Sequence, residues 1–175
     1  MAWLVTLLAA MANVVAWSTP GSALCAALGW SSVALFVTAL SLPHKRIKRL
    51  FFAGCLTYLG GFYWLYWTIQ DFGGFPSIAA IAIFLLFAVG SAVQFLIWAF
   101  AWQHLPHICS RLGLRTAVAW LIAHHFWIKI FPWDFGHTQS AFLPLAQLAS
   151  VTGVTGITFL MMWVAEAFTL RKTVA

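Results

Sequence analysis

Charge is scarce in this sequence, and acidic charge scarcest: only three of 175 residues are Asp or Glu, nine are Lys or Arg, and charged residues total 7%. An ordinary soluble domain carries about 25% charged residues, so that class is excluded. Cysteine is sparse too. Cys25, Cys55 and Cys109 have no C-x-x-C spacing and point to neither a disulfide framework nor a zinc site. No soluble domain, linker, low-complexity tract or convincing repeat breaks the chain, and 1–175 reads as a single membrane domain. What fills it is apolar: 63% hydrophobic residues, with 11 Trp and 16 Phe.

A helix rising about 1.5 Å per residue needs roughly 20 apolar residues to cross a hydrocarbon core about 30 Å thick. Six segments qualify, at about 2–17, 22–42, 51–69, 77–103, 115–132 and 145–170. Their lengths suit helices rather than the roughly 10-residue strands of a barrel. The expected fold class is all-α, a polytopic transmembrane bundle of about six spans. MAWLVTLLAAMANVV lacks a basic n-region and precedes another apolar run, so it reads as an uncleaved first span.

Eight of the nine basic residues share one side: Lys45, Arg46, Lys48 and Arg49, then Arg111 and Arg115, then Arg171 and Lys172. Lys and Arg are retained on the cytoplasmic side. Both termini are therefore expected there, with the loops at 18–21, 70–76 and 133–144 facing outward. The net charge of +6 is read as a topology signal and a contact with anionic lipid heads. Nucleic acid is excluded as a partner, because the basic clusters are short, juxtamembrane and without a reading motif.

Four polar or aromatic groupings stand out. TYLGGFYWLYWTIQDFGGFP holds all three tyrosines, Tyr58, Tyr63 and Tyr66, beside Trp64, Trp67, Asp71, Gly73 and Gly74. It reads either as an aromatic interface belt ending in a turn, or as a wall that receives acyl chains or a lipid head. His124 and His125 lie about eight residues, or on the order of 12 Å, inside the outer boundary, a depth at which ionisable groups face the bundle interior or water. Adjacent helical residues point about 100° apart, which disfavours joint ligation of one metal. His104 and His107 share a helical face, and the aqueous inner end accounts for them.

FPWDFGHTQS, residues 131–140, breaks the fifth span at Pro132 and places Trp133 at the interface. Asp134, His137, Thr138 and Gln139 are then expected outside, within reach of an ester, amide or phosphoryl head. Acid/base work is one reading of an acid near a His, and an ordinary polar loop is the other. In the sixth span, Ser150, Gly153 and Gly156 have the small-x-x-small spacing of close helix packing. Glu166, near Arg171 and Lys172, reads as a snorkelling interfacial charge.

The ordered set YWLYWTIQDFGGFP, IFPWDFGHTQ and LPLAQLASVTGVTGITFLMMWV resembles the amino-terminal membrane region of apolipoprotein N-acyltransferase, from about Trp17 to the end of the sixth span. That resemblance implies transfer of a fatty acyl chain from membrane phospholipid to the amino-terminal diacylglyceryl-cysteine of a lipoprotein. It implies the periplasmic face of the bacterial inner membrane and a cysteine thioester intermediate. In the family the chemistry belongs to a nitrilase-like domain with a Glu-Lys-Cys triad, placed after a seventh span. This sequence stops after the sixth, and Glu166 and Cys109 fall on the expected cytoplasmic side. The expectation is a membrane half, split from a nitrilase-like chain or truncated, and inactive alone.

No catalytic residue, metal or cofactor is assigned. The expected lipid lining is Tyr63, Trp64, Trp67, Asp71, Gly73, Gly74, His124, Trp133, His137 and Gln139. A non-catalytic lipid-binding or scaffold protein is the alternative, and a small transporter or haem protein using His124 and His125 is a third reading.

Overall fold

The computed structural model describes residues 1–174, with the side chains of His107 and residues 170–174 outside that description. The expected pairings of His104 with His107, and of Glu166 with Arg171 and Lys172, lie outside the described residues.

The chain is all-α. Helices α1 (Ala2–Ser18) and α2 (Ala23–Ser41) form an antiparallel pair. The Ser22 side chain accepts from Cys25 N at 3.0 Å to start α2, and Ser32 Oγ donates to Ala9 O at 3.0 Å across the pair. Helix α3 (Arg46–Gly61) runs back alongside α1, since Trp3 meets Phe52 near their starts and Trp17, in the last turn of α1, meets Phe62, just past the end of α3. After it come α4 (Trp64–Trp67), a π-helical turn (Thr68–Phe72) and the long α5 (Ser77–His104). A short α6 (His107–Arg111), α7 (Arg115–Phe126), a 3-10 turn (Phe135–Gln139) and α8 (Leu143–Val174) complete the order. Helix α3 packs on α1 and α5, α5 on α7, and α8 on α2 and α7.

By length and composition three described helices can cross a membrane: Ala23–Ser41, Ser77–His104 and Leu143–Thr169. Helix α1 is apolar but has 17 residues. Two expected spans are corrected. The third does not run unbroken through 51–69: it starts earlier, at Arg46, and α3 ends at Gly61, so Trp64 to Phe72 continue in short turns. The fifth is helical only over Arg115–Phe126, 12 residues, and its IKIFPW end is irregular. Non-helical backbone at such a depth persists where protein rather than lipid satisfies it, which is how the next segment is built.

Two readings of the last span change. Gly153 sits at a kink in α8 with φ 69° and ψ 172°, backbone essentially restricted to glycine. Gly153 and Ser150 are both exposed, so this part of the small-residue row marks a bend and not a helix interface. Glu166 does not snorkel. It is buried and accepts from Thr116 N at 2.6 Å in the first turn of α7. A carboxylate there meets an unpaired N–H and the positive end of the helix dipole.

The core is aromatic. Trp98 and Trp120 rings lie 4.9 Å apart, Trp120 and Phe135 4.9 Å, and Trp133 and Phe135 4.8 Å. Phe36 and Phe95 close the cluster from α2 and α5, with rings 5.5 Å apart.

Candidate functional site

The segment from Trp127 to Phe142 returns toward the bundle from the end of α7, and it is not an exposed polar loop. Trp133, Asp134, Phe135, Thr138 and Gln139 are all buried, Asp134 to 1% exposure. The reason is a set of donors converging on one carboxylate. Asp134 Oδ1 accepts from Trp120 Nε1 at 3.0 Å, from Phe135 N at 3.0 Å and from Thr158 Oγ1 at 2.6 Å. His124 Nδ1 lies 3.4 Å from Oδ2, and His124 Nε2 lies 3.2 Å from Thr155 Oγ1. The carboxylate thereby ties the loop to α7 and α8 at once. A buried charge is costly unless it is hydrogen-bonded, and here it is.

The rest of the turn is stitched similarly. Asp134 N donates to His137 Nδ1 at 3.2 Å, and Gly136 N donates to Thr158 Oγ1 at 2.8 Å. Gln139 Nε2 donates to Ala26 O at 3.1 Å and to Thr138 Oγ1 at 2.9 Å, anchoring the turn on α2. Gly29 permits this approach: a Cβ there would stand 2.1 Å from Thr138 Oγ1 and 2.6 Å from its Cβ.

The expected lining residues therefore divide. Trp133 and Gln139 are packed inside as supports, a correction to their placement at an open rim. His124 is half-buried and bonded within the bundle, whereas His125 is exposed. His137 is exposed, and its ring lies 6.2 Å from that of Trp17. Tyr63, Trp64 and Trp67 are exposed, at 62%, 43% and 55%, which is high for large aromatics. Asp71, Gly73 and Gly74 are exposed beside them in sequence, and Gly74 has a left-handed φ of 67°. Tyr58 separates from the other tyrosines, buried and donating to Gln94 Oε1 at 3.2 Å.

The exposed rim connects to a groove. Trp64 meets Phe131 with ring centroids 5.7 Å apart, and Phe131 meets Phe87 at 5.6 Å. Phe87 then lines an apolar groove of about 390 Å³ with Ile83, Leu86, Gly90, Trp127, Ile128 and Ile130. Among the described residues no group of three His, Cys, Asp or Glu side chains is placed to hold a metal ion. Trp120, Thr158, Gly29 and the groove residues of α5 were not singled out by sequence reasoning. Only Gly29 and Gly90, glycines inside long apolar helices, left a signal there.

The sequence profile described as Apolipoprotein N-acyltransferase N-terminal domain matches residues 9–167. The chain belongs to that family. "Apolipoprotein N-acyltransferase 2" of Leptospira interrogans is 32% identical over 127 residues, covering 70% of this chain and 21% of that protein. "Apolipoprotein N-acyltransferase" of Geobacter metallireducens is 25% identical over 165 residues, covering 91% of this chain and 31% of that protein. The Pasteurella multocida protein of the same name is 28% identical over 135 residues, 75% of this chain and 25% of its own length. The chain thus spans a fifth to a third of the length of these relatives, and the match covers an N-acyltransferase-like membrane domain.

Proposed function

We propose that this membrane domain is a lipid platform for acyl transfer. One acyl chain of a phospholipid lies in the groove between α5 and the 127–130 segment, and its ester and head sit at the rim of Tyr63, Trp64, Trp67, Asp71, Gly73 and Gly74. The observation that carries the reading is the continuous aromatic path from exposed Trp64 through Phe131 to Phe87 in the groove wall. An aromatic ring with one wet edge suits the boundary between acyl chain and head group. His124, Trp133 and Gln139 serve as positioning residues that hold the segment forming one groove wall.

Acyl transfer itself is assigned to a nitrilase-like catalytic domain, in the same polypeptide or in a separate chain, acting on a lipoprotein amino terminus. A thioester route needs a thiolate beside a base. Among the described residues Cys25 is buried, and neither Cys55 nor Cys109 bonds a base. The rim is assigned to the periplasmic side of a bacterial inner membrane, because the basic loops lie at the opposite end of the bundle.

Gly90→Trp tests the groove. A Cβ at Gly90 meets nothing within 4 Å, and Gly90 lines the groove of about 390 Å³, so the substitution starts a bulky side chain there with no clash at its first atom. Phospholipid retained by the purified protein is expected to fall severalfold with the melting temperature unchanged. Undiminished retention would contradict the reading.

A further inference from the structure

The opposite end of the bundle carries a second, chemically distinct cavity. His44, Lys45, Arg46, Ile47, Lys48 and Gln103 line a recess of about 300 Å³ between the α2–α3 turn and the end of α5. Its shape is fixed from behind. Arg49, fully buried, donates to the carbonyls of Ala39, Leu42 and His44, at 3.1, 2.9 and 3.0 Å. The turn they anchor holds His44 and Lys45 at φ 76° and 49°.

Next to Gln103 of the lining, the Trp102 indole carries two cations. The Arg46 guanidinium lies 4.4 Å from the Trp102 ring centroid and that of Arg115 4.2 Å. Arg115 is further held by Trp102 O at 2.7 Å and Gln103 O at 3.1 Å. Arg46 gives its Nε to Leu40 O, leaving its terminal nitrogens without a hydrogen bond among the described residues.

The charge here is not balanced from within. Of the three acids in the sequence, Asp71 and Asp134 lie at the far end of α3 and α7, and Glu166 is engaged by Thr116 N. Among the described residues no salt bridge joins Lys45, Arg46 or Lys48 to a carboxylate. Lys45 and Lys48 are exposed at the mouth. Lysines at a membrane surface draw anionic lipid, and an arginine with free terminal nitrogens matches phosphate oxygens.

We infer that this recess binds the phosphate of an anionic phospholipid from the leaflet at the basic end, a site separate from the groove and rim. Arg46 supplies the fork, Lys45 and Lys48 the mouth, and Gln103 a neutral polar contact. The site does not depend on the acyl-transfer reading, because it takes a lipid from the other leaflet and lies at the opposite end.

The test is native mass spectrometry of the purified protein offered phosphatidylglycerol or phosphatidylcholine. Phosphatidylglycerol is expected to be retained preferentially. The double variant Lys45→Ala, Lys48→Ala should weaken that retention by roughly 30-fold, as two lysines at an anionic surface imply. Arg111→Ala, which removes an exposed cation of the same end outside the recess, should leave it unchanged. Millimolar inorganic phosphate should not displace the lipid, and if it does the site serves a soluble anion instead. Equal retention of both lipids, or an equal loss in Arg111→Ala, overturns the inference. Unaltered melting temperatures in both variants show that the fold is intact.

Discussion

Asp134→Ala is expected to lower the melting temperature of the detergent-solubilised protein far more than Asp134→Asn. Alanine removes the acceptor shared by Trp120 Nε1, Phe135 N and Thr158 Oγ1. Each buried donor left without a partner costs about 1–3 kcal/mol, and the losses are coupled because all three converge on one oxygen. Asparagine keeps a carbonyl oxygen at that point and changes only the side facing His124. The mild variant is the control: it separates loss of the hydrogen-bond hub from loss of a negative charge. Hydrogen exchange should locate the damage, with the amides of Phe135 and Gly136 losing protection first. Equal melting temperatures for the two variants would show that the charge, through His124, and not the hub, holds the segment.

The second large effect is expected at the other end. Arg49→Lys should destabilise nearly as much as Arg49→Ala, although it keeps the charge. Arg49 makes four side-chain hydrogen bonds beyond that to His44 O: two to Ala2 O and Thr6 Oγ1 on α1, at 3.1 and 2.9 Å, and two to Ala39 O and Leu42 O, at 3.1 and 2.9 Å.

 Counting the bond to His44 O, the total is five, and it uses all three nitrogens. The carbonyls of Ala39 and Leu42 belong to the end of α2, where the last helical acceptors have no intrahelical donor. An ammonium is a compact point charge and cannot span these acceptors as a planar fork does. Losses on the order of 3–4 kcal/mol are expected for both substitutions, read by thermal unfolding. A lysine variant as stable as the parent would mean that charge alone, against the α2 dipole, is what Arg49 contributes.

Hydropathy made the long helices legible. The bounds expected for the second and fourth spans, 22–42 and 77–103, fall within a residue of Ala23–Ser41 and Ser77–His104. It misread the fifth, because IKIF is as apolar as a helix interior and no glycine marks the stop after Phe126. The polar character of Asp134 and Gln139 pointed to the surface for a general reason: such residues are mostly exposed. What reverses this is long-range. Trp120 and Thr158 come from different helices, and Ala26 is 113 residues from Gln139. Glu166 was misplaced in the same way, since its partner Thr116 is 50 residues away. The exposed rim was legible because Tyr63, Trp64 and Trp67 are local to one short segment. The basic end was legible as a cluster but not by role: Arg49 is buried structure, Arg46 stacks on Trp102, and Lys45 and Lys48 remain at the surface.

The central claim is that lipid meets this domain in the α5 groove, beneath the aromatic rim, while Trp133, Asp134 and Phe135 stay inside. Photo-crosslinking with a phospholipid that carries a diazirine midway along one acyl chain, followed by peptide mapping, tests it most directly. Adducts concentrated on Ile83, Leu86, Ile128 and Ile130, with none on Phe135 or Gln139, are the expected result. Labelling spread evenly over other exposed apolar residues, such as Leu4, Leu8 and Val151, would contradict it.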